Sequence, residues 1–216
     1  MELLASHATA VVGWSLAIAS TVTAWPQAVK LARTRNTNGI SVRSVALATL
    51  TMVAWSAYTI RIGDVPAAAS SVGPLSAWGT TLLLLIACKV PGAGRFALVT
   101  IAVSLIVIAV VFTPYWWIIG GAAAAGSAGW ALPQLRTAFT TENLEGVSVT
   151  AFAAMAVENI GWIVYAVLTS TPAYAVGSSI QAPATAIIAL KAARSYPSGG
   201  PTPAPDLRQQ HCSMAR

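Results

Sequence analysis

One set of polar and aromatic residues is written twice in this chain, at a fixed offset and without a gap. Pro26, Gln27, Thr34, Asn36, Gly39, Ser41, Val42, Ala46, Trp55 and Tyr58 recur 107 residues later as Pro133, Gln134, Thr141, Asn143, Gly146, Ser148, Val149, Ala153, Trp162 and Tyr165. Ten identities in one register mark an internal duplication, and a duplication constrains the fold before any local propensity does. Whatever the first copy builds, the second must build as well, and the two have to be arranged around each other.

Composition decides the solvent. Of 216 residues, 56% are hydrophobic and 8% charged, where a soluble domain carries about 25% charged residues. With a mean hydropathy of +0.70, this is a chain of several membrane spans. A pI near 9.8 would point to nucleic acid in a soluble protein. Here the basic residues stand at the ends of apolar stretches, where orientation rules account for them, so no nucleic-acid partner is expected. Cys88 and Cys212 form no metal or redox motif and no disulfide framework. The first 31 residues lack the basic start and small-residue cleavage site of a secretory leader.

Crossing a hydrocarbon core takes about 20 mainly apolar residues. Seven stretches qualify: 8–31, 42–61, 67–88, 96–113, 115–137, 148–168 and 173–192. The second carries Ser44, Thr49, Thr51 and Ser56, the character of a helix inside a bundle or beside a cavity. Phe96 to Phe112 is almost purely aliphatic and has no counterpart in either copy, so it reads as a lipid-facing linker. Parity requires such a helix: each copy supplies three spans, and two copies pointing the same way need one more between them. The expected fold is an all-α membrane protein of seven transmembrane helices. Two parallel three-helix repeats, 1–92 and 114–194, are joined by a linker helix at 93–113, with a disordered tail over 195–216 that is rich in Pro and Gly. Of the 12 Lys and Arg residues, all but Arg61 fall on the side of the first polar loop. The positive-inside rule makes that side cytoplasmic. It gives a multi-pass plasma (inner) membrane protein with its amino terminus outside and its carboxyl terminus inside.

The doubled pattern resembles the PQ-loop family, whose best-understood members are the SWEET and SemiSWEET sugar transporters. It has a Pro-Gln pair closing one helix, a polar basic loop with Asn, Gly and Ser, then Trp-x-x-Tyr ending the next helix. The resemblance covers most of 8–194 and implies parallel repeats related by an axis along the membrane normal, for which SWEETs are a standing example. It also implies alternating access of a small solute. Relatives include amino-acid transporters and a cargo receptor, so it speaks more sharply to fold than to substrate.

Several residues stand out as candidates. A proline inside a helix removes a hydrogen bond and clashes with the carbonyl four residues back, so Pro26 and Pro133, with Gln27 and Gln134, read either as gating hinges or as helix stops before a polar loop. Trp55 and Trp162 are either faces of an axial pocket, as the resemblance implies, or part of an interfacial aromatic belt. Tyr58 and Tyr165 read as structural. Sugar-transporting relatives place a pocket Asn about sixteen residues after that Trp, where this chain has Ser71 and Ser178. Ser70 and Ser179 stand beside them. Such relatives also place a proline three residues after the motif serine, where this chain has Ser44 and Ala151. Gln181, one turn beyond Ser178, and Asn159 are the amides that stand in for the missing asparagines. Glu158 is the one carboxyl group well inside a span, where an ionisable residue marks a functional site by default. It precedes Trp162 by four residues, on one helix face. Its counterpart is Thr51, so the site is asymmetric, and a carboxyl there could carry a proton, bind an ammonium or accept from hydroxyls.

His7 and His211 lie outside the spans, and no Ser-His-Asp, Cys-His or paired-carboxylate set is visible. No enzymatic activity, cofactor or metal is expected. The leading expectation is a facilitator of a small polar solute, with sugar first and membrane lipid as its surroundings. The second is a proton-coupled amino-acid carrier using Glu158, like the lysosomal relatives. The third is a non-transporting receptor on the same fold. Two copies in one chain could form a complete pathway, so a homo-oligomer is permitted and not required.

Overall fold

A computed structural model describes residues 2–195; of the tail expected to be disordered from 195, Ser195 is the last residue of a helix, and 196–216, with Arg208, His211, Cys212 and Arg216, lie outside the described residues. Seven helices account for the described chain: α1 (Glu2–Thr34), α2 (Val42–Ile62), α3 (Val65–Ala87), α4 (Ala93–Val111), α5 (Trp117–Thr140), α6 (Val149–Thr169) and α7 (Pro172–Ser195). Six are long and apolar enough to cross a membrane. The exception is α5, a 24-residue helix whose hydropathy is lowered by Gly120, Gly121, Gly126, Gly129 and the polar turn of Gln134 and Arg136, and which also carries a run of alanines. Small residues are what close helix contact in a membrane bundle calls for, and α5 packs against both α2 and α7.

The helix starts repeat as the sequence does. Ser41 caps α2 by accepting from the Ser44 N–H, and Ser148 caps α6 by accepting from the Ala151 N–H, both from extended backbone (φ −82° and −83°). A hydroxyl at this position satisfies one of the amides left over at a helix start. The far ends correspond too: Gly63 and Ser170, 107 apart, both take the left-handed conformation that ends a helix (φ 77° and 52°).

Packing obeys the same register. α3 packs on both α1 and α2, which do not pack on each other; α7 does the same with α5 and α6. Across the halves α1 meets α6 and α5 meets α2. α4 packs chiefly on α2, buries Val107 and Val111, and leaves Leu98, Leu105 and Ile106 at least 61% exposed.

The prolines do not stop their helices. α1 continues past Pro26 to Thr34, and α5 past Pro133 to Thr140, so the helix-stop reading is corrected. Both helices run past the expected ends at 31 and 137, because the polar turns after each Pro-Gln pair still form intrahelical hydrogen bonds. Buried apolar residues gather in two clusters. One surrounds Trp78, Trp130, Phe152 and Leu85 towards the Pro-Gln face. The other surrounds Leu16, Trp55, Tyr165 and Tyr174 towards the opposite face.

Candidate functional site

Between the two clusters lies a cavity of about 100 Å³, several times the roughly 10–15 Å³ that one water requires. All helices except α4 contribute to its wall. The candidates Trp55, Trp162, Ser71, Ser178, Gln181, Glu158 and Asn159 all line it, as does Ser70. Residues that stood out less in the sequence complete the wall: Ser20 and Thr23 on α1, Ser127 on α5 and Tyr174 on α7. Ser20 and Ser127 are themselves 107 apart, and so are Gly13 and Gly120. That register was the signal that could have found them.

Glu158 is half-buried and fully engaged. One oxygen accepts from the Ser20 hydroxyl and, at 3.1 Å, from the Trp162 indole N–H; the other accepts from Thr23 at 2.5 Å. In the other half the equivalent indole, of Trp55, donates straight to Ser127 at 2.6 Å. The carboxyl group is thus inserted between Trp162 and Ser20, whereas the corresponding pair, Trp55 and Ser127, is in direct contact. Thr51, its counterpart there, is buried with its hydroxyl unpartnered.

Further polar groups differ in how far they are satisfied. The Ser70 and Ser71 hydroxyls bond back to the Ala67 carbonyl, and the Asn159 amide donates to the Met155 carbonyl. Gln181 is 92% buried, lines the cavity, and its side-chain amide has no hydrogen-bond partner among the described residues. The amide is open to the cavity, where a bound polar group could pair with it. Trp55 and Trp162 do not simply face one another. The Tyr174 ring touches both, with centroids 5.3 and 5.6 Å away.

Towards the Pro-Gln face the cavity floor is Trp78 and Trp130, whose ring centroids lie 5.3 Å apart. Beneath them the two motif glutamines, 2% and 3% exposed, reach across to the opposite copy. Gln27 donates to the Gly146 carbonyl at 3.1 Å and accepts from the Ser148 N–H at 2.7 Å. Gln134 donates to the Gly39 carbonyl at 2.7 Å and accepts from the Ser41 N–H at 2.8 Å. Each Pro-Gln pair is therefore read by the Gly-x-Ser of the other copy's loop, and the interaction is made twice in the same way. Lys30 adds a bond to the Val147 carbonyl at 2.7 Å. None of Pro26, Gln27, Pro133 and Gln134 lines the cavity itself.

Towards the opposite face, Asp64 in the short α2–α3 turn accepts from the Tyr174 hydroxyl at 2.8 Å and the Tyr165 hydroxyl at 3.2 Å. Tyr165 lies against Gly13 of α1, and Tyr58 against Gly120 of α5. The second aromatic of each Trp-x-x-Tyr thus docks on the first helix of the other copy.

Among the described residues no group of His, Cys, Asp or Glu could hold a metal ion. The model of the PQ loop repeat family matches residues 8–67, the first copy as far as the start of α3. The comparison with curated proteins returns no match.

Proposed function

We propose, for a chain whose residues 8–67 match the PQ loop repeat family and six of whose seven described helices are long and apolar enough to cross a membrane, that it carries a small polar solute across the bilayer by alternating access. The observation that carries this reading is a cavity lined by six helices, with hydroxyl, amide and carboxyl groups set in an otherwise apolar and aromatic wall, and with inter-copy hydrogen bonds on each side of it. Breaking the two glutamine bridges would expose the cavity to the face that the positive-inside rule makes cytoplasmic. Breaking the Asp64–tyrosine cluster would expose it to the other face. Pro26 and Pro133 stand one residue before the bridging glutamines, and the backbone hydrogen bond each proline lacks makes that turn the place where the helix bends. Rocking one copy against the other would open one closure while keeping the other.

Sugar is the solute class implied by the resemblance. The wall of Ser71, Ser178, Gln181, Asn159 and the two tryptophans supports it, since hydroxyls need polar partners and ring C–H faces need aromatic ones. Glu158 favours a second reading, a proton-coupled amino-acid carrier. Reconstituted proteoliposomes separate the two. Sugar flux indifferent to a pH gradient and retained in Glu158→Gln supports the first, whereas proton-driven amino-acid flux lost in Glu158→Gln supports the second. A folded, reconstituted protein that moves neither class would sink both.

A further inference from the structure

We infer that the occupant best matched to this cavity is a small organic monocation: an ammonium group on a compact, partly apolar body, with no carboxylate of its own. The inference rests on the carrier reading and narrows it to a charge class. Glu158 is the one acidic residue of the wall, and no Lys, Arg or His lines the cavity. Its three partners, Ser20, Thr23 and Trp162, are neutral donors. They orient the carboxyl group but bring no positive charge to it, and an ionised carboxylate at membrane depth is unfavourable without one. A ligand ammonium supplies that charge and can donate to the same oxygens. The wall also holds the aromatic rings of Trp162, Tyr174 and Trp55, with Tyr174 in contact with both tryptophans, and aromatic rings are what hold organic cations.

The rest of the wall suits the rest of such a molecule. Met52, Pro74 and Trp78 form an apolar side contributed by α2 and α3, and the unpartnered Gln181 amide offers one further donor and acceptor. Charge also argues against the alternatives. An amino acid would bring a second carboxylate into a cavity with no base to meet it and with Glu158 to repel it. A neutral sugar leaves Glu158 as it was. Thr51 stands where a second carboxylate would be in a symmetric site, so the site is matched to a single positive charge.

The test compares an isobutyl group carried as a cation, as a neutral alcohol and, with a carboxylate added, as a zwitterion, with glucose as a fourth arm. Isobutylamine, isobutanol and valine are compared by thermal stabilisation of the purified full chain, and by uptake into proteoliposomes. Isobutylamine is expected to bind about tenfold more tightly than isobutanol or valine, and Glu158→Gln is expected to erase that preference. Glu158→Asp, which keeps the charge, should retain the preference and so guards against a Glu158→Gln protein that fails to fold. The inference is overturned if glucose, isobutanol or valine matches the amine, or if Glu158→Gln binds the amine unchanged; the carrier reading then survives, because a solute still binds and moves. If the folded protein neither binds nor moves any of the four, the carrier reading falls and takes the inference with it.

Discussion

At the scale of single residues, the motif glutamines hold the most consequence for stability. Each satisfies one backbone carbonyl and one backbone N–H of the facing loop, in a setting where no water substitutes freely. Gln27→Leu strands both groups at Gly146 and Ser148, and should lower stability by about 1–3 kcal/mol. Because Gln134 makes the equivalent pair of bonds, Gln134→Leu should lose a similar amount. Denaturant or thermal melts in detergent measure both, and an unaffected melt in either variant would contradict the bridging role. Glycines at the tyrosine contacts are equally specific. A Cβ at Gly120 would stand 2.5 Å from the Tyr58 ring. Gly120→Ala should therefore destabilise by roughly 1–3 kcal/mol, as overpacking of a filled site does, and Gly121→Ala, with open space around it, serves as the control.

Elements differ in how well the two copies solve the same problem. The turn after α2 ends on Gly63 and the turn after α6 on Ser170, both left-handed. Glycine takes that conformation freely, whereas a residue with a Cβ is strained in it by about 1–2 kcal/mol. Ser170→Gly should accordingly raise stability by roughly 1 kcal/mol, and a melting temperature that fails to rise would show that the Ser170 turn carries no such strain. α5 is packed by α2 and α7 along an Ala- and Gly-rich surface, so contact geometry governs its sequence more than hydropathy does.

For the whole molecule, the arrangement of loops makes a prediction about sidedness. Successive crossings put the loops holding Glu142 and Arg35 on one face and the α4–α5 connection holding Tyr115 on the other. In a background of Cys88→Ser and Cys212→Ser, Glu142→Cys and Tyr115→Cys should react with an impermeant maleimide from opposite sides. The basic loops predict that Glu142→Cys is the one labelled only in inside-out vesicles. Labelling of both from one side would overturn the topology. The positions are apt because Glu142 and Tyr115 are both exposed.

The sequence alone determined the duplication, the membrane class, the helix count and which side chains stand apart, because register and hydropathy are properties of the linear chain. Glu158 could be singled out because a carboxylate in an apolar run is conspicuous wherever the run folds. What only the tertiary structure decided is pairing between the copies. That Gln27 is answered by Gly146 and Ser148, that Tyr165 rests on Gly13, and that Ser20 and Thr23 hold Glu158 are contacts across more than 100 residues of chain. They depend on α1 lying against α6 and α5 against α2, and nothing in the spacing of either copy distinguishes a partner in its own half from one in the other. Tyr174 and Asp64 stayed hidden for the same reason. Neither repeats, since their counterparts are Ala67 and Thr171, and they meet only because the turn after α2 and the start of α7 are brought to the same end of the bundle.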